Sequence, residues 1–453
     1  MAVSPLFATL RCGQKRFNSG LFVGFVALCA LLAPMVALGV EQTDTLDSFD
    51  DENDNPFDFS MRLRFTSDSR DAFIGREVKC LAGDALGNPL CPKASGTVIS
   101  RELVYARQRN VMNIDTRIGL YKDLELYAFF PIVTGDSWNH KYVTGVDKTN
   151  SSIAPIKDSE KLFAPEYNSR SRAGFGDMTI GIKWGALNYY RDVTHPTWVW
   201  GVDLTLPTGT AMQQDNDGVG LGLYQLHLYT TVSRRTLRYF EPFFNAHGVS
   251  RFGAASGLFN SQGGTQPRAE PGSSVGTLFG LTIIPWENIK QDQRFELEGG
   301  FGMDYHFRGR EYSEIWEAFA SSANPCQTST GCTNTQFAKS DVDPITHKLR
   351  TTDGITDIES YGRFTGWAGL HFQPIKYFQI SARAGWTRET SHYITYGDPG
   401  TDLDKSGNVE AKNSAGKNEF SPVYLPAVDT SGQRLRLQDI SGFGFMLAIS
   451  GKL

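Results

Sequence analysis

A strict two-residue alternation of apolar and polar side chains recurs along this chain and constrains its fold more than any other feature. Between Gly442 and Leu453, Phe443, Phe445, Leu447, Ile449 and Leu453 share one parity. Gly444, Met446, Ala448, Ser450 and Lys452 share the other. A period of two is the signature of a β-strand with one apolar face. The same period marks 57–66, 112–120, 124–130, 177–184, 198–206, 224–232, 240–247, 279–283, 294–306, 363–372 and 378–387. With the closing stretch the count is 12 strands, and the expected class is all-β.

The connections vary in length in an ordered way. Long segments are expected at 67–101, 133–172, 249–274, 309–359 and 388–433, with a medium one at 208–220. Short ones fall between them at 121–123, 187–196, 233–238, 285–293 and 373–376. An even strand count with long loops on one side and tight turns on the other predicts a transmembrane antiparallel β-barrel of the outer-membrane type. Barrel width decides which face points out. About eight strands leave an interior that side chains just fill, so 12 strands with the apolar face inward would enclose a void. Turned outward, that face meets lipid. Trp184, Tyr189, Tyr190, Trp198, Tyr239, Trp286, Tyr377 and Phe378 cluster beside the short turns and read as an interfacial girdle. The closing strand is the expected docking signal for the barrel-assembly machinery, although it ends in Leu453 where such strands commonly end in an aromatic residue.

Residues 1–39 read as a secretory signal peptide. Arg11, Lys15 and Arg16 form its basic front, Leu21 to Leu38 its apolar core, and Ala37-Leu38-Gly39 its cleavage site. An uncleaved anchor is the competing reading. Losing three cations would take the net charge from −5 to −8. Residues 40–56 are an acidic leader, expected to be a solvated periplasmic segment before a barrel of 57–453. Four cysteines would remain after export, as the sequence-local pairs Cys80 with Cys91 and Cys326 with Cys332. Two loop disulfides are expected in an oxidising compartment.

Three stretches, Gly119 to Pro131 (GLYKDLELYAFFP), Gly174 to Lys183 (GFGDMTIGIK) and Asp203 to Gly209 (DLTLPTG), resemble the MetA-pathway of phenol degradation family of outer-membrane transporters. The resemblance implies uptake of small, often aromatic or hydrophobic compounds, and it carries no set of functional residues.

The polar parity supplies candidates for a lumen or selectivity lining: Arg62, Arg64, Asp115, Arg117, Asp177, Lys183, Asp203, Glu241, Arg294, Glu296, Glu298, Asp304, Arg363 and Arg383. Rings of charge in a narrow pore select solutes. The competing reading is that these groups pair and hold the wall together. Asp402, Asp404, Ser406 and Glu410 surround Gly407 as in a calcium loop, but Asn413 stands where a bidentate glutamate belongs, so a polar surface loop is the expectation and no metal is assigned.

No cofactor is implied. A mean hydropathy of −0.30 excludes a helical membrane protein, and the chain has no basic excess that would suggest a nucleic-acid partner. None of the eight histidines sits in a local histidine-serine motif, so no enzyme is expected. The expected partners are outer-membrane lipid and a small-molecule solute. The alternatives are a surface-binding or structural barrel, with a loop over 309–359 that carries a short helix from Ser313 to Phe319 and could plug the lumen.

Overall fold

The computed structural model describes residues 43–46, 58–80, 96–153, 162–163, 166–189, 191–213, 216–237, 239–253, 269–323, 354–410, 413–417, 419, 421 and 423–452. The signal stretch 1–39, Cys91, Cys326 and Cys332 lie outside them. Twelve strands follow one another around a closed wall: β1 (Phe59–Cys80), β2 (Gly96–Tyr121), β3 (Leu124–Tyr142), β4 (Thr179–Leu187), β5 (Thr197–Thr205), β6 (Leu223–Ser233), β7 (Phe240–Gly253), β8 (Ser274–Asn288), β9 (Gln293–His306), β10 (Tyr361–Ile375), β11 (Phe378–Glu389) and β12 (Leu435–Lys452). Each pairs antiparallel with its neighbour in chain order, and β12 pairs with β1 to close the barrel. Closure satisfies every ladder and removes both sheet edges, which is what a sheet needs inside a bilayer.

The register places like with like on the outside. Leu63 stands level with Ile449 on one side and Ile114 on the other. The apolar parity faces outward as expected, with Met61, Leu63, Leu204, Leu228, Phe279, Leu297, Leu447 and Ile449 exposed. The turn-side girdle is present, with Trp184, Trp198, Tyr239, Trp286 and Tyr377 exposed. A second girdle that the sequence did not reveal faces outward toward the loop side and includes Phe175, Phe252, Tyr305 and Phe307. An apolar band between two aromatic girdles on a closed barrel places the protein in the bacterial outer membrane.

Two of the long loops are shorter than expected. β1 runs on to Cys80, β2 begins at Gly96, and β3 extends to Tyr142, so much of 67–101 and 133–142 is ladder rather than loop. The reason is a change of solvent. Past Phe65 the outward residues of β1 are Ser67, Ser69 and Asp71, so the strand has left the lipid. Its inward residues turn apolar instead, with Ala72 and Ile74 buried, as are Leu103 and Tyr105 of β2 and Leu435 and Leu437 of β12. On β12 the exchange of faces coincides with a break in parity. Leu437, Ile440 and Met446 all point inward, and Asp439 between them is left-handed (φ 50°). The partner strand β1 shifts register between Asp71 and Phe73. A bulge inserts one residue and swaps the faces that follow.

Candidate functional site

The lumen wall carries most of the predicted charges, and they run along the wall rather than across it. Arg64 on β1 meets Asp115 on β2 at 3.1 Å. Arg117 on β2 grips Glu125 on β3 through two hydrogen bonds of 2.8 and 2.6 Å. Lys183 on β4 lies 3.7 Å from the same carboxylate. Asp203 on β5 accepts from Tyr127 and lies 2.8 Å from Nδ1 of His227. Glu241 accepts from Ser233 at 2.8 Å and lies 3.9 Å from Arg294, which also pairs with Glu296. Glu298 on β9 accepts from Arg383 at 2.8 Å and from the Trp367 indole at 2.6 Å. Asp304 lies 2.8 Å from Nε2 of His247, and Arg363 donates to Glu389 at 3.0 Å. Arg62 donates to Ser450 at 3.1 Å. The described ion pairs between barrel strands join strands one or two apart. Asp177 is the exception among the predicted residues. It sits just before β4 and accepts from the backbone N–H of Gly209 (3.0 Å) and Leu221 (2.7 Å), so it staples two loop segments instead of lining the lumen.

Large rings on the wall are laid flat by glycines. Tyr127 stands level with Gly181, Tyr229 with Gly201, Phe243 with Gly280 and Trp367 with Gly300. In each pair a Cβ on the glycine would overlap the facing ring. The missing side chain lets the ring lie across the neighbouring strand rather than project toward the axis.

The turn-side, periplasmic mouth is occupied by the chain itself. Thr43–Leu46, from the acidic leader, sit inside the barrel, with Thr43 and Leu46 buried. For these four residues, the described part of the leader, the expectation of a solvated segment does not hold, and the reason is charge. Asp44 accepts from Arg117 through both its carboxylate (3.1 Å) and its backbone carbonyl (2.8 Å). Lys183 also donates to that carbonyl, and Lys452 lies 3.5 Å from the carboxylate. The Leu46 N–H donates to Glu125 at 2.8 Å, and the Thr43 hydroxyl meets Ser233 at 3.1 Å. Beside this strap lies a cavity of about 270 Å³ whose walls include Asp44, Arg294, His371, Gln373, Gln379 and Lys452.

The other mouth is closed by an apolar cap. A helix, α1 (Trp316–Ala323), follows from the loop expected at 309–359 and folds inward, starting three residues later than anticipated. Ile315, Trp316, Ala318 and Phe319 pack with Ile153, Leu162, Phe163, Ile394 and Val428 from other loops and with Trp138, Tyr105 and Leu435 of the wall. Arg172 fastens this cap. It is fully buried beside Glu317 of α1, donates to the carbonyls of Asn216 (2.8 Å), Gly218 (3.2 Å) and Gln213 (3.1 Å), and lies over the Trp138 and Trp316 rings at 5.7 and 5.1 Å. Sequence reasoning missed Arg172, Glu317 and Asp44, since none lies on an alternating strand segment. Glu125 had the signal of lumen parity.

Cys80 is buried at the loop-side end of β1 and takes part in a disulfide. The calcium-like loop is built differently from the expected pattern. Glu419 joins Asp402 and Asp404 in place of Ser406 and Glu410. All three carboxylates already accept from backbone N–H groups, Glu419 from Leu403 at 2.8 Å and Asp402 from Gly407 at 2.8 Å. Such a loop closes on its own hydrogen bonds. Among the described residues the wall carries a hydroxyl–imidazole–carboxylate sequence: His371 Nδ1 meets Ser381 at 2.9 Å, and its Nε2 lies 3.4 Å from Glu298. The Ser381 residue is 1% exposed beneath His371, so a substrate carbonyl has no approach to it.

No family model and no curated protein matches the chain. Among solved structures, it is similar in fold to the COG4313 outer membrane channel from Pseudomonas putida F1, with 10% identity over 87% of this chain and 95% of that one and a TM-score of 0.40. It is also similar to a deltaS2 mutant of the TodX monoaromatic hydrocarbon channel (9% identity, 87% and 90% coverage, TM-score 0.31) and to a Pseudomonas aeruginosa FadL homologue (9%, 88% and 90%, 0.29).

Proposed function

We propose that this protein is an outer-membrane channel for passive passage of small solutes, and that the conformation described is its closed state. One observation carries the reading. The wall neutralises its charges circumferentially and seats its rings flat, while the two mouths are blocked by chain segments outside the barrel ladder. The aromatic-rich wall and the resemblance to the MetA-pathway family point to small aromatic or hydrophobic compounds as cargo. The closing strand β12, apolar outward from Phe443 to Ile449, is the surface we assign to the barrel-assembly machinery.

Single-channel recording in planar bilayers tests this. The wild type is expected to show rare openings, and a variant lacking the strap and cap contacts is expected to conduct steadily. A folded, strap-less and cap-less barrel that never conducts would refute the channel and favour a surface-binding or structural role.

A further inference from the structure

Three cations of the periplasmic mouth converge on one residue of the strap, and that convergence points to a ligand. Arg117 and Lys452 face the Asp44 carboxylate, and Arg117 and Lys183 both donate to its carbonyl. The wall itself answers only part of this charge. Glu125 takes Arg117 in a two-point grip and lies 3.7 Å from Lys183. The carboxylate of Lys452 is Asp44. Lys452 lines the adjoining cavity of about 270 Å³, whose walls also carry Arg294 and Glu296. With the strap withdrawn, Arg117, Lys183 and Lys452 would share Glu125 as their counter-charge on the wall, an excess of cation over anion. A concave site with a few convergent charged donors is how small ligands are fixed, and a guanidinium with an ammonium beside it suits a carboxylate.

We infer that this seat is a binding site for the carboxylate of a small anionic solute, and that Asp44 occupies it as a built-in competitor. The proposal rests on the channel reading, since a solute crossing the lumen reaches the periplasm past this seat. Strap and solute then exclude one another, and an anionic solute favours the open mouth because it takes the place of Asp44. A neutral solute has no purchase on the strap.

The test is equilibrium binding by titration calorimetry on the full chain refolded in detergent, with benzoate as the probe and benzamide as its neutral control. Asp44→Ala, with Asp44→Asn as a second variant, is expected to bind benzoate about tenfold more tightly than wild type, because the competent state is no longer held shut by an occupied seat. Adding Lys452→Gln or Lys183→Gln to Asp44→Ala should reverse the gain, and benzamide should show no gain in any variant. Heat-modifiable gel mobility reports that each barrel is folded. Equal benzoate affinity in wild type and Asp44→Ala would overturn the inference, as would an equal gain for benzamide or indifference to Lys452→Gln and Lys183→Gln. Conductance separates the two proposals. A strap-less barrel that conducts without benzoate binding sinks the seat and keeps the channel, and one that binds benzoate but never conducts does the reverse.

Discussion

Replacing Glu317 with alanine should unfasten the cap while leaving the barrel intact. The Glu317 carboxylate is buried against a fully buried Arg172, and the substitution leaves that guanidinium with three carbonyl acceptors but no counter-charge. Removing one partner of a buried pair typically costs about 3–5 kcal/mol. The barrel ladder does not share that loss, because α1 makes none of its hydrogen bonds, so the cost falls on the closed position of the cap. At about 3 kcal/mol, local opening of the helix becomes roughly a hundredfold more frequent. Native-state hydrogen exchange reads this directly at the Phe319 amide, which donates to Ile315 at 2.9 Å within the buried turn. Its protection should fall by that factor, while ladder amides of β12 such as Leu447 stay unchanged. Glu317→Gln, which keeps a neutral acceptor, should fall between. Unchanged protection at Phe319 in a folded Glu317→Ala barrel would refute the idea that this pair holds the cap. An equal loss at Leu447 would show that cap and barrel are one cooperative unit.

Gly201→Val should push the Tyr229 ring off the wall and destabilise the barrel by about 1–3 kcal/mol in urea unfolding; combining it with Tyr229→Ala should recover much of the loss. Leu63→Lys, on the lipid face between Ile449 and Ile114, should cost about 2–4 kcal/mol in lipid bilayers, whereas Ser69→Lys above the apolar band should cost little. Asp429 in the cap is pushed up to about 6, first by burial, against the pull of the Leu425 and Gly397 N–H groups. A raised carboxyl is a burden once ionised, so the cap should weaken as pH rises from about 4 to about 6 and level off above that. Asp429→Asn should lack this step, measured as the wild-type minus variant difference in cap melting. Glu77 acts in the opposite sense. Burial raises it, but Arg434, Tyr393 and the Gly432 N–H outweigh that and hold it low. Its contribution is present at neutral pH and is lost in acid, so Glu77→Gln should flatten the acid limb of the same melt.

The wall was legible because lipid on one side and charge on the other force a period of two. Where β1, β2 and β3 rise above the lipid, both faces meet new surroundings and the period loses its apolar outward half. Ser67, Ser69 and Asp71 therefore read as loop. The lumen charges were legible by parity, with Asp177 misplaced because it ends a turn just before its strand begins. The strap and cap were not legible. Asp44 looks like one more acid in an acidic leader, and only the fold brings it to Arg117, 73 positions away. Arg172 and Glu317 are separated by 145 positions, one between β3 and β4 and the other on the short helix α1, and neither lies on a segment of alternating parity.

The exchange of faces at Asp439 also fixes how deep the barrel sits. Just above the exchange, Arg101 and Asp439 pair at 2.8 Å on the outer surface, both about half exposed, and just below it Phe443 is 53% exposed on the same side. Floating upward would set Phe443 in water, and sinking would drag the ion pair into oil. Each displacement is opposed by a different solvent, so the chain has its own waterline. The two mouths stay at a constant height, the strap facing the periplasm and the cap standing clear of the membrane.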